Sequence, residues 1–231
     1  MKIYAIQTGT VEIKKNQLIG KGPKALRLIN VLLGKEWVEP VPIYAWVIEH
    51  NEGVIVVDTG DTARTSEPGY FPRWQPYYKL AVRLHVKPEE EIGTQLKKMG
   101  ITPKDVKKVI LTHMHTDHAG GLHYFPESQI YVNMPEYKRS LGFPGKAIGY
   151  LPHRAPAWFS PNAIVFDNKA FGPFQKFWNV TSKGDVKVVA TEGHTPAHIS
   201  AIATIEDVNY FLAGDTSYSE ENLIKRIADG V

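Results

Sequence analysis

The chain contains no cysteine, and that absence excludes disulfide bridges, thiolate metal ligands and a thiol nucleophile together. It also suits a reducing cytoplasm. No stretch approaches the roughly twenty consecutive apolar residues of a membrane-spanning helix. The opening nine residues alternate as a strand does, without the apolar block of a signal peptide. We therefore expect a cytoplasmic protein with no membrane partner. Strong charge bias is missing as well: 27 lysines and arginines stand against 24 aspartates and glutamates, a net +3. With lysines scattered among glutamates, the charges read as solvated faces, and nucleic-acid binding is not expected. No internal repeat or low-complexity tract is present. What remains is 231 residues of ordinary hydrophobic content, 43%, enough for one large core, and we expect a single domain over 1–231.

Chemistry-bearing residues concentrate in one place. His113, His115, Asp117 and His118 fall within six residues, directly behind the apolar run Val109-Ile110-Leu111. In a continuing strand, residues two apart share a face, so His113, His115 and Asp117 would point together. Ala119-Gly120-Gly121 lets the chain turn sharply, so His118 can aim from another direction. One stretch could then serve two adjacent ions. A wet loop is the bland alternative, but ionisable groups straight after a buried strand need partners or a cation. Neutral imidazole and carboxylate suit zinc and its borderline neighbours.

Two more strand ends carry the same residue types. Val186 to Ala190 runs into Thr191-Glu192-Gly193-His194-Thr195-Pro196-Ala197-His198, and Tyr210 to Ala213 into Gly214-Asp215-Thr216-Ser217-Tyr218. Asp58-Thr59-Gly60 follows the apolar run Val54 to Val57. With Asp215-Thr216-Ser217 as a near copy, it could also present the paired carboxylates of an aspartic protease. That reading leaves the histidine cluster unexplained, and the copy lacks the glycine. His50, His85, His123 and His153 have no comparable setting and read as surface or packing residues.

Strands are expected at 2–13, 41–50, 54–57, 129–132, 163–166, 186–190, 199–205 and 209–213. Helices are expected at 88–100, where proline and acids open the segment and lysines and glycine close it, and at 136–140 and 220–227. Such alternation without a strict strand-helix-strand repeat argues for mixed sheets flanked by helices. Gly20 to Glu39 is too apolar to lie in water, so it should cover the core, the substrate or a partner subunit, and a homodimer contact is expected. Thr62 to Arg83, rich in proline and aromatics, reads as a lid or substrate wall, or as an aromatic plug on the core.

His113-x-His115-x-Asp117-His118 resembles the signature of the metallo-β-lactamase superfamily of dinuclear hydrolases. Thr191 to Pro196 and Asp215-Thr216-Ser217-Tyr218 are most similar to the N-acyl homoserine lactonases within it. The resemblance implies an α+β fold, an αββα four-layer sandwich of two facing mixed β-sheets with metals at one rim. It implies two divalent ions, zinc first, with iron, manganese or cobalt as alternatives. His113, His115 and His194 would hold one ion, Asp117 and His118 the other, and Asp215 would bridge them. Asp58 would orient a ligand imidazole, and His198 would stand behind the site or in the core.

The implied activity is opening of the lactone ring of an N-acyl homoserine lactone by a hydroxide held between the ions. Tyr218 would donate to the oxyanion, and Asp117 would pass a proton to the leaving oxygen. A small-molecule lactone or ester is thus the expected partner. Another ester or thioester hydrolase of this fold, or a non-catalytic metal-binding protein, is the alternative. One departure stands out, because the family pattern continues through a further strand and helices bearing a final histidine for the second ion. Nothing after Asp215 is a histidine here. Three explanations compete: the sequence is a truncated or shortened version of the family pattern, its last strand missing; water or a residue such as His50 completes the second site; or the second ion is weakly held.

Overall fold

A computed structural model describes residues 1–228 and Gly230. β1 (Lys2–Ile13) pairs antiparallel with β2 (Val41–His50), which turns into antiparallel β3 (Gly53–Val57). Between β1 and β2 lie α1 (Lys15–Leu18) and α2 (Lys24–Leu33). The proline-rich segment after β3 forms α3 (Pro76–Leu80) and then β4 (Val82–His85), which pairs with β1. α4 (Ile92–Lys98) leads to β5 (Val106–Ile110), parallel to β3, and α5 (Thr116–Ala119) to β6 (Gln129–Val132), parallel to β5. α6 (Met134–Ser140) and α7 (Gly142–Ala147) precede β7 (Asn162–Ala163). The seven strands run in the order β4-β1-β2-β3-β5-β6-β7. A second sheet comprises β8 (Phe177–Asn179), β9 (Val186–Ala190), β10 (Ile199–Ile205) and β11 (Val208–Leu212), antiparallel in the order β11-β10-β9-β8, and α8 (Glu220–Lys225) follows.

Alternation along the central strands builds two cores from one sheet. Ile55, Val57 and Ile110 face Val186, Val188, Ile199 and Ala201 of the smaller sheet. Val56 and Val109 turn the other way, onto Ile92 and Leu96 of α4. Strands buried on both faces read as unbroken apolar runs, and β3 and β5 do. This is the α+β sandwich expected, with helices against the sheets; its larger sheet is mixed and its smaller one antiparallel.

Some expected boundaries move for local reasons. The helix expected over 88–100 begins only at Ile92, because the Glu91 carboxylate accepts from the Ala63 N–H at 2.8 Å and the Tyr124 hydroxyl at 2.6 Å. Glu90 N–H meanwhile closes a turn on Lys87 O. The strand expected at 163–166 shrinks to Asn162–Ala163. β4 and β8 are too short to be assigned from periodicity, and α2 lies in the segment read only as an apolar insertion.

Topology then does the positioning. Parallel pairing sends the C-terminal ends of β3, β5 and β6 to one rim. β9 and β11 end at that rim and β10 begins there, and the Ile199 N–H donates to Thr112 O at 3.0 Å across the two sheets.

Candidate metal centre

β5 stops at Ile110 because the next backbone donors find other partners. Leu111 N–H still bonds Tyr131 O, but Thr112 N–H donates to Asp58 Oδ1 at 2.8 Å. The strand alternation expected for His113, His115 and Asp117 therefore does not occur. His113 and His115 leave the sheet in an extended loop, His115 caps α5, and Asp117 and His118 lie within that helical turn. Asp117 consequently faces His118, at 3.7 Å, and not the other two imidazoles.

The structure nevertheless brings all six residues to one locus. His115 Nδ1 lies 3.0 Å from His113 Nε2 and 3.0 Å from His194 Nε2. Three nitrogens so placed approximate one face of a tetrahedron, whose N–N edge is about 3.3 Å for zinc–nitrogen bonds of about 2.05 Å. Alongside, Asp215 turns Oδ1 to His118 Nε2 at 3.2 Å and Oδ2 to His194 Nε2 at 3.5 Å. One carboxylate thus touches both groups. Two donor clusters result, His113 with His115 and His194, and His113 with His118 and Asp215.

Protonation fits that donor set. Burial, reinforced by the neighbouring imidazoles, pushes His113 and His115 well below the usual histidine range and keeps them neutral. Burial also disfavours a charged His118, yet the Asp215, Asp58 and Asp117 carboxylates hold its pKa well above the usual value. Burial would raise Asp215, but His118 and the other imidazoles keep it below the ordinary carboxylate range. A cluster in which an imidazolium and a carboxylate neutralise one another in a buried site is one a divalent cation can replace.

A ring of further residues fixes the donors. Asp58, in the left-handed region at φ 59°, accepts from His118 Nδ1 at 2.8 Å, which points His118 Nε2 at the cluster. His198 Nε2 accepts the Asp215 N–H at 3.1 Å, and burial, the leading cause, lowers His198 to about 3 and keeps that nitrogen an acceptor. Gly214 adopts φ 57°, and a Cβ there would lie 2.8 Å from His198 Nε2, so only glycine lets the loop approach so closely. Glu136 accepts from Tyr150 Oη at 2.6 Å and from Met114 N–H at 3.3 Å, while the Tyr150 ring packs 4.9 Å from that of His115. Neither Glu136 nor Asp61, a buried carboxyl beside Thr116, carries any sequence signal that separates it from a surface acid. His50, considered for completing the second ion's ligands, instead pairs with Asp185 at 3.2 Å at the far end of β3.

Above the cluster opens a cavity of about 700 Å³, with Asp117, His194, Asp215 and Tyr218 at its floor. Its walls include Tyr77, Tyr78, Leu32, Val82 and Leu84. Within the segment 62–83, Gln75 Nε2 donates to Lys146 O and Ala147 O, and Tyr78 Oη donates to Gly149 O, tying this wall to the segment after α7.

A family model for the metallo-beta-lactamase superfamily matches residues 38–228. The chain belongs to the metallo-beta-lactamase superfamily. That membership makes it a metal-dependent hydrolase. Among curated members of the superfamily, the N-acyl homoserine lactonase AttM of Agrobacterium fabrum is 23% identical over 242 residues, spanning 100% of this chain and 81% of the relative. AiiA of Bacillus thuringiensis subsp. kurstaki, also an N-acyl homoserine lactonase, is 29% identical over 188 residues, 79% of this chain and 66% of the relative. A solved structure of a B. thuringiensis AiiA variant with N-decanoyl-L-homoserine at its active site superposes with a TM-score of 0.76 at 23% identity, covering 99% of this chain and 81% of that one.

Proposed function

We propose that the chain opens the lactone ring of N-acyl homoserine lactones. The observation that carries this reading is a largely apolar cavity whose floor is a convergent set of imidazoles and a shared carboxylate. Curated relatives named as N-acyl homoserine lactonases support it.

His113, His115 and His194 are assigned to one cation, Asp117 and His118 to a second, with Asp215 between. Zinc suits this donor set, with iron, manganese or cobalt as the other candidates. Bound there, such ions supply Lewis acidity and a water acidified toward neutral pH. The chain's own residues do the rest. Asp58 and His198 orient donors, and the apolar walls take the acyl tail and exclude water from the ester. Tyr218, at the cavity floor with its hydroxyl 3.3 Å from His194 Nδ1, is assigned to donate a hydrogen bond to the developing oxyanion. Asp117 is assigned to return a proton to the ring oxygen as it leaves.

The test is acid release from hexanoyl- and decanoyl-homoserine lactones by zinc-loaded protein, with His113→Ala as control and metal counted on the same sample. Metal-dependent turnover with two ions per chain is expected. No turnover at any acyl length overturns the lactonase reading, and faster turnover of thioesters or aryl esters transfers the site to those substrates.

A further inference from the structure

The net charge of +3 conceals a division of the surface. Three segments contribute to the cavity wall: residues 20–35 with α2 through Leu28 and Leu32, 68–87 with α3 through Trp74 to Tyr78, and 137–166 with α7 through Arg139 and Ala147 to Tyr150. Together they hold twelve of the chain's 27 lysines and arginines and none of its 24 aspartates and glutamates. The remainder of the chain is therefore net acidic, although Arg83 pairs with Glu12 of β1 at 3.1 Å and Arg139 is the one cation of these segments among the cavity-lining residues.

The same region wears its apolar side outward. In α2 the half-buried Asn30 donates its amide to Lys21 O at 2.9 Å, and only Val31 is fully buried. Leu26, Leu28 and Ile29 are about half exposed and Leu33 is 75% exposed. Water would favour the opposite rotation of an amphipathic helix. Across the opening, Trp74 and Phe143 stack at 5.5 Å while 51% and 69% exposed.

A face both cationic and apolar has a definite complement. A second copy in a twofold contact would set this face against itself, cation against cation. Nucleic acid would match the charge and leave the aliphatic side chains of α2 in water. A bilayer containing anionic phospholipid satisfies both, since basic residues meet its headgroups while leucine, isoleucine, tryptophan and phenylalanine enter the interfacial layer. We propose that the cavity mouth, built on α2, α3 and α7, seats reversibly on anionic lipid bilayers and places the cavity opening against the lipid. No helix among the described residues is long and apolar enough to cross a membrane, so the contact is with the surface. The proposal departs from the expectation of no membrane partner, and the vesicle experiment decides between them.

The full chain is sedimented with unilamellar vesicles of phosphatidylcholine, alone or with phosphatidylserine, at low and high salt. Sedimentation with the phosphatidylserine vesicles at low salt, release at high salt and a blue shift of tryptophan emission are expected. The triple variant Arg73→Ser, Lys79→Ser, Lys146→Ser should lose about fivefold in affinity per cation removed. Leu28→Ser with Leu33→Ser should weaken binding at unchanged charge. Thermal melts confirm that each variant is folded. Four results overturn the proposal: the parent staying in the supernatant with both vesicles, the triple variant sedimenting like the parent, retention by transfer RNA without vesicle binding, or a dimer by light scattering that leaves vesicles unbound. Hydrolysis is not read here, so the outcome is independent of the lactonase reading.

Discussion

Replacing Asp58 by asparagine isolates the link between a buried hydrogen bond and a metal ligand. Asp58 accepts from Thr112 N–H at 2.8 Å, from Thr112 Oγ1 at 2.8 Å and from His118 Nδ1 at 2.8 Å. Asparagine keeps the volume and tolerates the left-handed backbone at φ 59°. Its oxygen can still take the Thr112 N–H, so the loop should hold its shape. Its amide hydrogens, however, would then face His118 Nδ1, which must become an acceptor. The ring proton moves to Nε2, the nitrogen turned toward Asp215 at 3.2 Å, and a protonated nitrogen cannot ligate. A hydrogen bond to a charged group is worth about 1.5–3 kcal/mol. At about 1.4 kcal/mol per decade, that is roughly tenfold to a hundredfold in affinity, the range found when such orienting partners are removed. Zinc titration calorimetry and metal counting after graded chelation should show one equivalent bound at parental affinity and the other weakened by that factor. Two equivalents retained at parental affinity would refute the claim that Asp58 sets the tautomer of His118.

Three further outcomes are expected. Burial, with Asp117 nearby, raises the Asp61 carboxyl to about 8, and its Oδ2 makes no hydrogen bond among the described residues. An acid raised in the folded state keeps a proton that the unfolded chain gives up near pH 4, so at about 1.4 kcal/mol per pKa unit the metal-free protein should lose on the order of 5 kcal/mol as pH rises from about 4 to about 8. Asp61→Asn should flatten that slope in denaturant melts taken across the range. Tyr218→Phe should lower kcat on lactones about tenfold to a hundredfold while metal content stays at two per chain, whereas His113→Ala should lose metal and activity together; an unchanged kcat would remove Tyr218 from the reaction. Leu32→Trp fills the outer cavity, and with about 0.8 kcal/mol per methylene it should cost a decanoyl substrate up to about a hundredfold in kcat/KM relative to a hexanoyl one. Equal losses at both lengths would show that the acyl tail lies elsewhere.

Much of the donor set was legible because its signal is local. Three histidines and an aspartate within six residues, behind an apolar run, read as a metal site from spacing alone, and β3 and β5 read as strands because burial on both faces demands continuous apolar residues. The way the donors aim was not legible. Strand alternation put Asp117 beside His113 and His115, and the Asp58 carboxylate, 54 residues earlier, ends the strand by taking the Thr112 N–H. α2 escaped assignment because its apolar residues crowd one short run, and its outward apolar face contradicts the pattern that periodicity assumes.

What the sequence determined by itself is chemistry: which groups can ligate, the lack of any thiol, the apolar strands that must be buried, and the residues 38–228 that carry the superfamily pattern. Tertiary structure alone decided distance and direction. His194 and Asp215 lie 76 and 97 residues beyond His118, the last donor of the histidine-rich turn, and only the parallel pairing of β3 and β5 with the facing antiparallel sheet brings those strand ends to one rim. The same holds for charge: the three segments that carry twelve cations are far apart in the chain, and only folding sets them beside one cavity, because electrostatics depends on separation in space and not along the backbone.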